Sequence, residues 1–400
     1  MAQAGQRGPA VRSDAWIELE PGGTGLRLEV TSKVESMYGE AIRAQVRADL
    51  ATLGVRNAAV RVEDAGALPF TLAARLEAAV RRAGLAVTRP ALPAAHGPAP
   101  APSKRDRPRR SRLYLPGNEP KFMVNAGLHG ADGVILDLED SVAPAEKDAA
   151  RLVVRNALVA LDFGACERMV RINQLPAGLD DLEVVAPHGV QLVLLPKCES
   201  ADQVRAVDAR LHALVPGRDV HVMPIIESAL GVFHALEIAT AAPSVVGLTI
   251  GLEDYTADLG AQRTTEGRES FWARSVIVNA ARAAGIQAID TVYSDVDDEE
   301  GLRRSVVEAK GMGFEGKGVI HPRQIAVVHD AFAPDQPAIQ RACAIARAFD
   351  EARARGLGVV ALGSKMIDAP VVKRALTTLE RAIAAGRLSP DWRDQVEVKR

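Results

Sequence analysis

Eight short apolar runs recur between Arg109 and about residue 330, and they constrain the fold more than any other feature of the sequence. Helical stretches fall between most of these runs, which read RLYLPG, GVILDLED, RMVRINQ, LVLLPK, VMPIIES, VVGLTIGLED, IQAIDTVYSD and GKGVIHP. Continuous apolar runs are typical of strands that are buried on both faces of a sheet. Eight strand–helix repeats predict an α/β fold in which a parallel (β/α)₈ TIM barrel covers residues 109–335.

The barrel is predicted to have a helical segment after it and a small domain before it. Residues 336–400 contain two helical patterns, PAIQRACAIARAFDEARARG and DAPVVKRALTTLERAIAAG, and we expect them to form a lid or an oligomerisation segment. Residues 1–87 alternate strand and helix patterns, which predicts a small α+β domain with helices that end at Gly54 and Gly84. Residues 88–108 are rich in Pro and Ala, and this composition predicts a flexible linker between the two domains.

Composition excludes several classes of function. The chain has 400 residues and a formal net charge of -2, so it lacks the basic surplus of a nucleic-acid-binding protein. It contains neither an apolar run of about 18 residues nor an apolar signal core, which argues against membrane insertion and secretion. The three cysteines are far apart in sequence, so we expect no disulfide framework and no structural zinc site, and a cytoplasmic location fits best.

Polar side chains follow most of the predicted strands, at the end of a barrel where catalytic residues lie. Seven of the eight strands end in charged or titratable groups, and these are Asp137, Glu139, Asp140, Arg171, Lys197, Glu227, Glu253, Asp254, Asp290 and His321. Asn173 follows Arg171 at the same strand end. The sequence therefore predicts a charged site at the mouth of the barrel.

Glu227 and Asp254 are separated by one β–α–β step, so adjacent strands would bring the two carboxylates to the same rim. Mg²⁺ prefers oxygen ligands and seldom receives a full protein cage, whereas zinc would favour histidines or thiolates. The pair is therefore a candidate Mg²⁺ site. Alternatively, each carboxylate caps the helix that follows it. Strand alternation predicts that Glu253 points away from Asp254 and has a structural role.

The other charged candidates also have two interpretations each. Arg171 is suited to clamp a carboxylate or enolate oxygen of a substrate, or it forms a salt bridge with Asp137 or Glu139. Lys197 and Asp290 are either functional groups or members of structural ion pairs. Lys121, in the loop PGNEPKF, is either a phosphate contact or a solvated side chain.

Nine segments between Arg109 and Ala385 resemble, in order and spacing, the citrate lyase beta-chain family of acyl-CoA lyases. They are RRSRLYLPGNEPKF, DGVILDLEDSVAPAEKDAAR, VRINQL, LLPKCES, PIIESALGV, GLEDYTADLG, GIQAIDTVYSD, GFEGKGVIHPRQI and SKMIDAPVVKRA. The resemblance implies a Mg²⁺-dependent, homo-oligomeric lyase, a trimer or a hexamer, that cleaves citryl- or malyl-type thioesters.

The resemblance also implies roles for individual residues. Glu227 and Asp254 match the metal ligands, Arg171 matches the arginine that clamps the substrate, and Asp368 matches the catalytic acid/base, which acts within its own chain or on a neighbouring subunit. The candidate contacts to the thioester carrier or to coenzyme A are Tyr114, Lys121, Ile320 and His321.

The first domain resembles the citrate lyase acyl carrier protein, the gamma chain, over about residues 12–83. This resemblance implies a phosphoribosyl-dephospho-CoA arm on a serine, here Ser13, and a partner similar to the citrate lyase alpha CoA-transferase subunit. The sequence departs from the family pattern because the expected Ser-Gly-Asp reads Ser-Asp. The alternative is a carrier domain that has lost its arm and serves docking or assembly.

These resemblances together imply a retro-Claisen cleavage of a citryl-type thioester to a 2-oxo acid such as oxaloacetate and an acetyl thioester. The second interpretation is a free acyl-CoA lyase for malyl-CoA, methylmalyl-CoA or citramalyl-CoA with a non-catalytic N-terminal domain. A pyruvate-type metal aldolase and a non-catalytic scaffold are further alternatives. The aldolase should carry a histidine base where this sequence has DLED, and the scaffold should lack a complete set of strand-end groups.

Overall fold

The eight apolar runs form a closed barrel of parallel strands in the computed structural model, which describes residues 1–354, 360–362 and 365–393. The barrel strands are β5 (Ser111–Pro116), β6 (Gly133–Asp137), β7 (Glu167–Arg171), β8 (Leu192–Leu195), β9 (His221–Ile226), β10 (Gly247–Ile250), β11 (Gln287–Asp290) and β12 (Gly316–Val319). Each strand pairs in parallel with its neighbours, and β12 closes the barrel on β5. The predicted TIM barrel is confirmed.

The helices that follow the strands form the outside of the barrel. They are α3 (Pro120–Met123), α4 (Lys147–Ala160), α5 (Ala177–Val185), α6 (Ala201–Leu214), α7 (Ala229–Phe233), α8 (Ala235–Ala239), α9 (Leu252–Leu259), α10 (Arg268–Ala284) and α11 (Glu299–Met312). After β12 the chain continues into α12 (Arg323–Phe332). Inside the barrel, Ile135, Met169, Leu194, Met223 and Ile289 form a buried apolar cluster. This packed interior leaves the strand ends as the place where polar groups can collect.

The N-terminal domain is a four-stranded sheet with two helices, of which the sequence patterns predict both helices and three strands. Its elements are β1 (Ala2–Ala4), β2 (Ala15–Pro21), β3 (Leu26–Ser32), α1 (Glu35–Leu53), β4 (Ala58–Asp64) and α2 (Pro69–Arg82). The strand order is β1-β2-β4-β3, in which only the β3–β4 pair is parallel. Gly54 ends α1 in a left-handed conformation, which glycine adopts at little cost. The short strand β1 was not predicted.

The N-terminal domain packs against the barrel, and the two belong to one compact unit, residues 1–325. Helix α2 lies on α4, where Glu77 Oε2 accepts a hydrogen bond from Arg155 Nη2 at 2.8 Å and both side chains are buried. Asn156 donates to the carbonyl of Phe70 at 3.1 Å. Removal of either partner of such a buried ion pair would destabilise the protein, because the other charge would remain buried and unpaired.

Residues 88–108, for which composition predicts a flexible linker, lie against the barrel. Regular secondary structure is absent from this described segment, and its backbone is hydrogen-bonded to barrel residues. The contacts are His96 N to Val159 O at 3.0 Å, Gln191 Nε2 to Ala101 O at 2.7 Å, and His221 Nε2 with Ser103 O at 2.8 Å. The small domain is thus held to the barrel in this conformation by the segment as well as by α2.

The C-terminal residues form a second compact unit, residues 326–400. It contains α13 (Gln336–Ala354), β13 (Val360–Leu362), β14 (Lys365–Ile367) and α14 (Ala369–Ala384). The two predicted helices are confirmed, and they pack through Ile339, Ala346, Val372 and Leu379. The antiparallel pair β13–β14 was not predicted. Across the described residues, no helix is both long and apolar enough to cross a membrane.

Candidate active site

A cavity of about 440 Å³ opens at the carboxyl ends of the barrel strands. Its wall combines acidic, basic and apolar side chains that come from most of the strands and the loops after them. Among the predicted residues, the cavity is lined by Tyr114, Asp137, Asp140, Arg171, Glu227, Glu253, Asp254, Asp290 and Ile320. Most of the polar groups that the sequence places at strand ends therefore do come together.

Glu227 follows β9 directly and is only 6% exposed. Its Oε1 atom accepts a hydrogen bond of 2.6 Å from the backbone N–H of Lys197. Burial raises the pKa of Glu227 to about 8, and the nearby carboxylates of Asp254 and Glu139 contribute to the rise. The capping interpretation is wrong for Glu227, because the Ser228 hydroxyl caps α7 by accepting from Gly231 N at 3.1 Å.

Asp254 lies in the first turn of α9, where Gly251 occupies the cap position, so Asp254 is not the helix cap either. Its Oδ2 atom is 3.7 Å from the ammonium nitrogen of Lys197. Glu253 pairs with Arg263 instead. The two acids point in different directions because successive helical residues are rotated by about 100°, whereas the sequence predicted strand alternation.

Gly251 allows Glu227 to lie close to the backbone at the start of α9. A Cβ atom at this position would lie 2.4 Å from Glu227 Oε2, far inside van der Waals contact. The glycine that opens GLEDYTADLG therefore has a steric role, since any larger residue displaces the carboxylate of Glu227.

Arg171 ends β7 and is fixed by carboxylates at the end of β6 and just after it. Its Nε and Nη2 atoms donate to Asp137 at 2.6 and 2.7 Å, and Nη1 lies 2.8 Å from Glu139 and 3.2 Å from Asp140. The guanidinium carbon is 5.5 Å from the ring centre of Tyr114. The salt bridge predicted as one alternative is thus present, and it holds the guanidinium at the cavity wall.

The mouth of the cavity carries an excess of negative charge. Five carboxylates collect there, from Asp137, Glu139, Asp140, Glu227 and Asp254, and they face the two cations of Arg171 and Lys197. Burial also raises the pKa of Glu139, although Arg171 and Lys197 oppose this rise. The Lys197 ammonium has a raised pKa because the surrounding carboxylates outweigh the cost of burial. The group as a whole favours the binding of a further cation.

Asp290 ends β11 and belongs to a buried ion-pair network. The ammonium of Lys317 is 2.8 Å from its Oδ2 atom, and Arg274 approaches both oxygens at 3.2 Å. These cations hold the pKa of Asp290 below its ordinary value against the effect of burial. The ion-pair interpretation of Asp290 is confirmed.

The candidate carrier contacts occupy different surroundings. Tyr114 and Ile320 line the cavity. Lys121 lies on α3, where its ammonium pairs with Glu119 at 2.9 Å and lies over the ring of Phe122. His321 precedes α12 and accepts a hydrogen bond from Arg323 N through Nδ1 at 3.2 Å.

Ser13 lies just before β2 and has a left-handed backbone, with φ of 56°. The next residue, Asp14, forms a buried ion pair with Arg75 at 2.8 Å. Arg75 in turn donates to the side chain and the carbonyl of Asn118, in the loop that follows β5 at the mouth of the barrel. A chain of direct contacts therefore connects the predicted attachment site with the barrel loop.

Asp368 belongs to the C-terminal unit. Its Oδ1 atom accepts a hydrogen bond from Val371 N at 3.1 Å, so it is the N-cap of α14. This is the structural role that its position before APVVKRAL predicts.

Sequence reasoning missed one charged residue of the cavity. Arg112 lines the cavity from β5 although its side chain is fully buried. Its signal in the sequence is its spacing of two residues from Tyr114, since alternate residues of a strand share one face.

Comparison with known proteins agrees with this architecture. Residues 110–322 match the family model described as HpcH/HpaI aldolase/citrate lyase. The chain belongs to the HpcH/HpaI aldolase/citrate lyase family. It is accordingly an enzyme of the lyase type, as the sequence predicts. Residues 2–83 match the acyl-carrier model described as malonate decarboxylase delta subunit, which agrees with the predicted carrier type of the N-terminal domain.

Individual relatives match about two thirds of the chain. The chain is 41% identical over 286 residues to citrate lyase subunit beta of Leuconostoc mesenteroides subsp. cremoris, a match that covers 70% of this chain and 95% of the relative. It is 38% identical over 295 residues to mitochondrial citramalyl-CoA lyase of Mus musculus, covering 69% and 87%. The crystal structure of CitE from Mycobacterium tuberculosis with magnesium, acetoacetate and coenzyme A is similar, with a TM-score of 0.59, 37% identity and coverage of 70% and 99%.

Proposed function

We propose that this chain is a Mg²⁺-dependent carbon–carbon lyase that cleaves a citryl-type thioester to a 2-oxo acid such as oxaloacetate and an acetyl thioester. The observation that carries the proposal is the buried carboxylate of Glu227 beside Asp254, in a cavity mouth where acids outnumber bases. The family supplies the reaction class, and the cavity supplies a place for a chelating substrate. We further propose a cytoplasmic location and assembly as a homo-oligomer, a trimer or a hexamer.

The donor set fits Mg²⁺ better than it fits a metal with an all-protein cage. The described residues contain no group of three His, Cys, Asp or Glu that could hold a metal ion. Mg²⁺ needs no such group, because it usually binds one or two carboxylates and completes its shell with water and substrate. Glu227 and Asp254 would hold the ion, which would supply Lewis-acid polarisation of the hydroxyl and carboxylate oxygens of the substrate.

Retro-Claisen cleavage consists of three events at the substrate. The hydroxyl proton of the substrate passes to a base, the electrons of the C–C bond move onto the thioester fragment, and the resulting enolate is protonated at carbon. We assign to Arg171 the stabilisation of the oxygen that gains charge, because it lines the cavity and its guanidinium is fixed there by Asp137 through Nε and Nη2 and by Glu139 and Asp140 through Nη1. Its fixed orientation means that little reorganisation is needed during the reaction.

We assign protonation of the enolate carbon to Asp368. The assignment rests on the resemblance of the SKMIDAPVVKRA segment to the family pattern. An aspartate at a helix N-cap has an ordered side chain, which suits a positioned acid/base. Whether Asp368 serves its own chain or a neighbouring subunit is open to test by mixing Glu227→Gln and Asp368→Asn chains. Activity in the mixed oligomers would require that Asp368 acts between subunits.

We propose that Ser13 carries the thioester on a phosphoribosyl-dephospho-CoA arm. The contacts from Asp14 through Arg75 to Asn118 support this assignment, since they hold the attachment site beside the barrel loop. With the domain docked, movement of the arm alone could deliver the thioester, and its effective concentration would be about millimolar. Tyr114, Lys121, Ile320 and His321 are the proposed contacts for the arm or for coenzyme A, and a CoA-transferase subunit is the proposed partner.

The second candidate is a lyase for free malyl-CoA, methylmalyl-CoA or citramalyl-CoA. The buried contact between Glu77 of the N-terminal domain and Arg155 of the barrel favours this candidate. An N-terminal domain that serves only for docking needs such an interface but needs no prosthetic arm. One of the relatives is named as a citramalyl-CoA lyase.

A substrate panel tests the proposal. Citryl-, malyl- and citramalyl-CoA are incubated with the purified full chain and Mg²⁺, and release of the 2-oxo acid is measured, with EDTA as the control. We expect the highest kcat/KM with the citryl thioester. Cleavage of only malyl- or citramalyl-CoA would favour the second candidate, and no Mg²⁺-dependent cleavage of any thioester would overturn both.

A further inference from the structure

Arg112 is a cation at the floor of the active-site cavity. It lies on β5, where Arg112, Tyr114 and Pro116 alternate with outward-facing residues and all three line the cavity. Because two residues of a strand span roughly 6–7 Å, Arg112 lies one layer deeper in the barrel than Tyr114. Its side chain is fully buried.

The guanidinium of Arg112 lacks a carboxylate partner among the described residues. Nη1 donates to the sulfur of Met223 at 3.1 Å, a weak acceptor, and Nε and Nη2 are buried with no hydrogen-bond partner. Thr249 also directs its hydroxyl at the Met223 sulfur, at 3.4 Å. Burial lowers the pKa of Arg112, yet arginine keeps its proton in proteins. A buried charge in this state is costly unless a ligand pairs with it.

Other fully buried cations of the described residues are paired. Arg75 is paired with Asp14, Arg109 with Glu167, and Lys317 with Asp290. In the two arginine pairs the carboxylate binds the edge formed by Nε and Nη2. The same edge is the one left without a partner on Arg112. That edge matches the two oxygens of a carboxylate.

We propose that Arg112 binds a second carboxylate of the substrate and so makes the enzyme selective for dicarboxylic 2-hydroxy and 2-oxo acids. The inference rests on the proposed function, in which Glu227 and Asp254 would hold the Mg²⁺ that binds the other end of the acid. A citryl thioester yields oxaloacetate, which has a second carboxylate for Arg112. The corresponding products of citramalyl- and malyl-thioesters are pyruvate and glyoxylate, which have none.

The selectivity follows from what each kind of acid does to the unpaired edge of Arg112. A monocarboxylic acid leaves the Arg112 edge buried and unpaired, whereas a dicarboxylic acid pairs it, and sites with buried polar groups discriminate strongly for this reason. Met223 and Ile225 offer no charge to Arg112, and the carboxylates of Glu167 and Asp290, which lie near enough to affect its pKa, are paired with Arg109 and Lys317.

Calorimetric titration of the Mg²⁺-loaded full chain tests the inference, with malate and lactate as stable probes that share the 2-hydroxy acid group. We expect malate to bind about 10- to 100-fold more tightly than lactate, the gain expected of a bidentate charged pair. Arg112→Met should reduce this ratio to within about twofold, by weakening malate and leaving lactate unchanged. Arg112→Lys should give an intermediate ratio, because lysine keeps the charge and loses the paired donors.

Thermal unfolding distinguishes a ligand-binding arginine from a structural one. Without ligand, Arg112→Met should be as stable as the wild type or more stable, since it removes a buried unpaired charge. Arg205→Met, on the exposed face of α6, is the control. An unchanged malate preference in Arg112→Met would overturn the inference. A lower melting temperature of the same variant would then show that Arg112 has a structural role. If the wild type binds neither acid in a Mg²⁺-dependent way, the proposed function itself fails.

Discussion

Lys197 contacts both proposed metal ligands, Glu227 through its backbone N–H and Asp254 through its ammonium group. The first contact is a hydrogen bond of 2.6 Å to Glu227 Oε1, and the second is an approach of 3.7 Å to Asp254 Oδ2. The backbone of Lys197 is left-handed, with φ of 47°, a conformation that is rare for residues other than glycine. Strain of this kind is typical of functional sites.

Lys197→Met should strengthen Mg²⁺ binding. The substitution keeps the backbone N–H that orders Glu227 and removes the ammonium that competes for Asp254. Because the Lys197 side chain is 34% exposed, solvent screens the pair and the expected gain is modest, about two- to fivefold in affinity. Calorimetric Mg²⁺ titration measures it, and Lys373→Met on α14 is the control. Weaker binding in Lys197→Met would mean that the ammonium does not compete with the ion.

Gly251→Ala should weaken Mg²⁺ binding by at least about tenfold. The added Cβ would lie 2.4 Å from Glu227 Oε2 and force the carboxylate away from Asp254. Gly311→Ala is a matched control, because a Cβ in this part of α11 would meet no atom within 4 Å. The control should bind Mg²⁺ normally and gain about 0.5–1 kcal/mol of stability. Equal affinities in the two variants would contradict the close approach of Glu227 to Gly251.

Glu77→Ala should destabilise the chain by about 3–5 kcal/mol, because it leaves the buried Arg155 without its carboxylate. Urea unfolding measures the change, and Glu40→Ala on the exposed face of α1 should have little effect. A loss below about 1 kcal/mol would indicate that the contact between α2 and α4 contributes little.

The same pair predicts how stability depends on pH. Burial opposes ionisation of Glu77, but Arg155 and Arg81 outweigh it, so the pKa of this carboxyl is lower in the folded protein than its ordinary value. The stabilisation is therefore complete above the unfolded pKa, about 4.3, and is lost as the pH falls through the folded pKa. Glu77→Gln should show a shallower loss of stability below about pH 4. An unchanged acid limb would exclude this carboxyl as a source of the pH dependence.

A covalent arm on Ser13 should be visible as added mass on the intact protein. The chain is isolated from a host that makes the prosthetic group, and its mass is compared with that of Ser13→Ala. We expect the adduct only on the wild type. Cleavage of the carrier-bound thioester should disappear with the adduct, while cleavage of free CoA thioesters remains. An unmodified wild-type chain would leave the N-terminal domain with a docking role only.

The barrel and the cluster of acids could be predicted because both follow from local sequence patterns. Continuous apolar runs mark each strand, Glu227 follows β9 directly, and Asp254 lies in the first turn of the helix that follows β10. The helix-capping roles of residues next to these acids were harder to predict. Ser228, a preferred N-cap residue, follows Glu227 and is the true cap of α7, so the signal was present in the sequence.

Other features depend on residues that are distant in the sequence. The contacts of Asp14 with Arg75, and of Arg75 with Asn118, join segments whose patterns carry no sign of their partners. The contacts of residues 88–108 with the barrel are of the same kind, because composition reports local chain preferences and not the surface that a segment covers. The buried edge of Arg112 also becomes apparent only when the barrel closes around it.

The central claim is that Glu227 and Asp254 are the metal ligands. Its most direct test is the Mg²⁺-dependent release of the 2-oxo acid from citryl-CoA by variants of these two acids and of their neighbour Glu253. Glu227→Gln and Asp254→Asn should each lose at least about two orders of magnitude in kcat. Glu253→Gln should stay within a few-fold of the wild type, because Glu253 pairs with Arg263 and not with the proposed ion. Full activity in Glu227→Gln and Asp254→Asn, or an equal loss in all three variants, would contradict the assignment of the metal site.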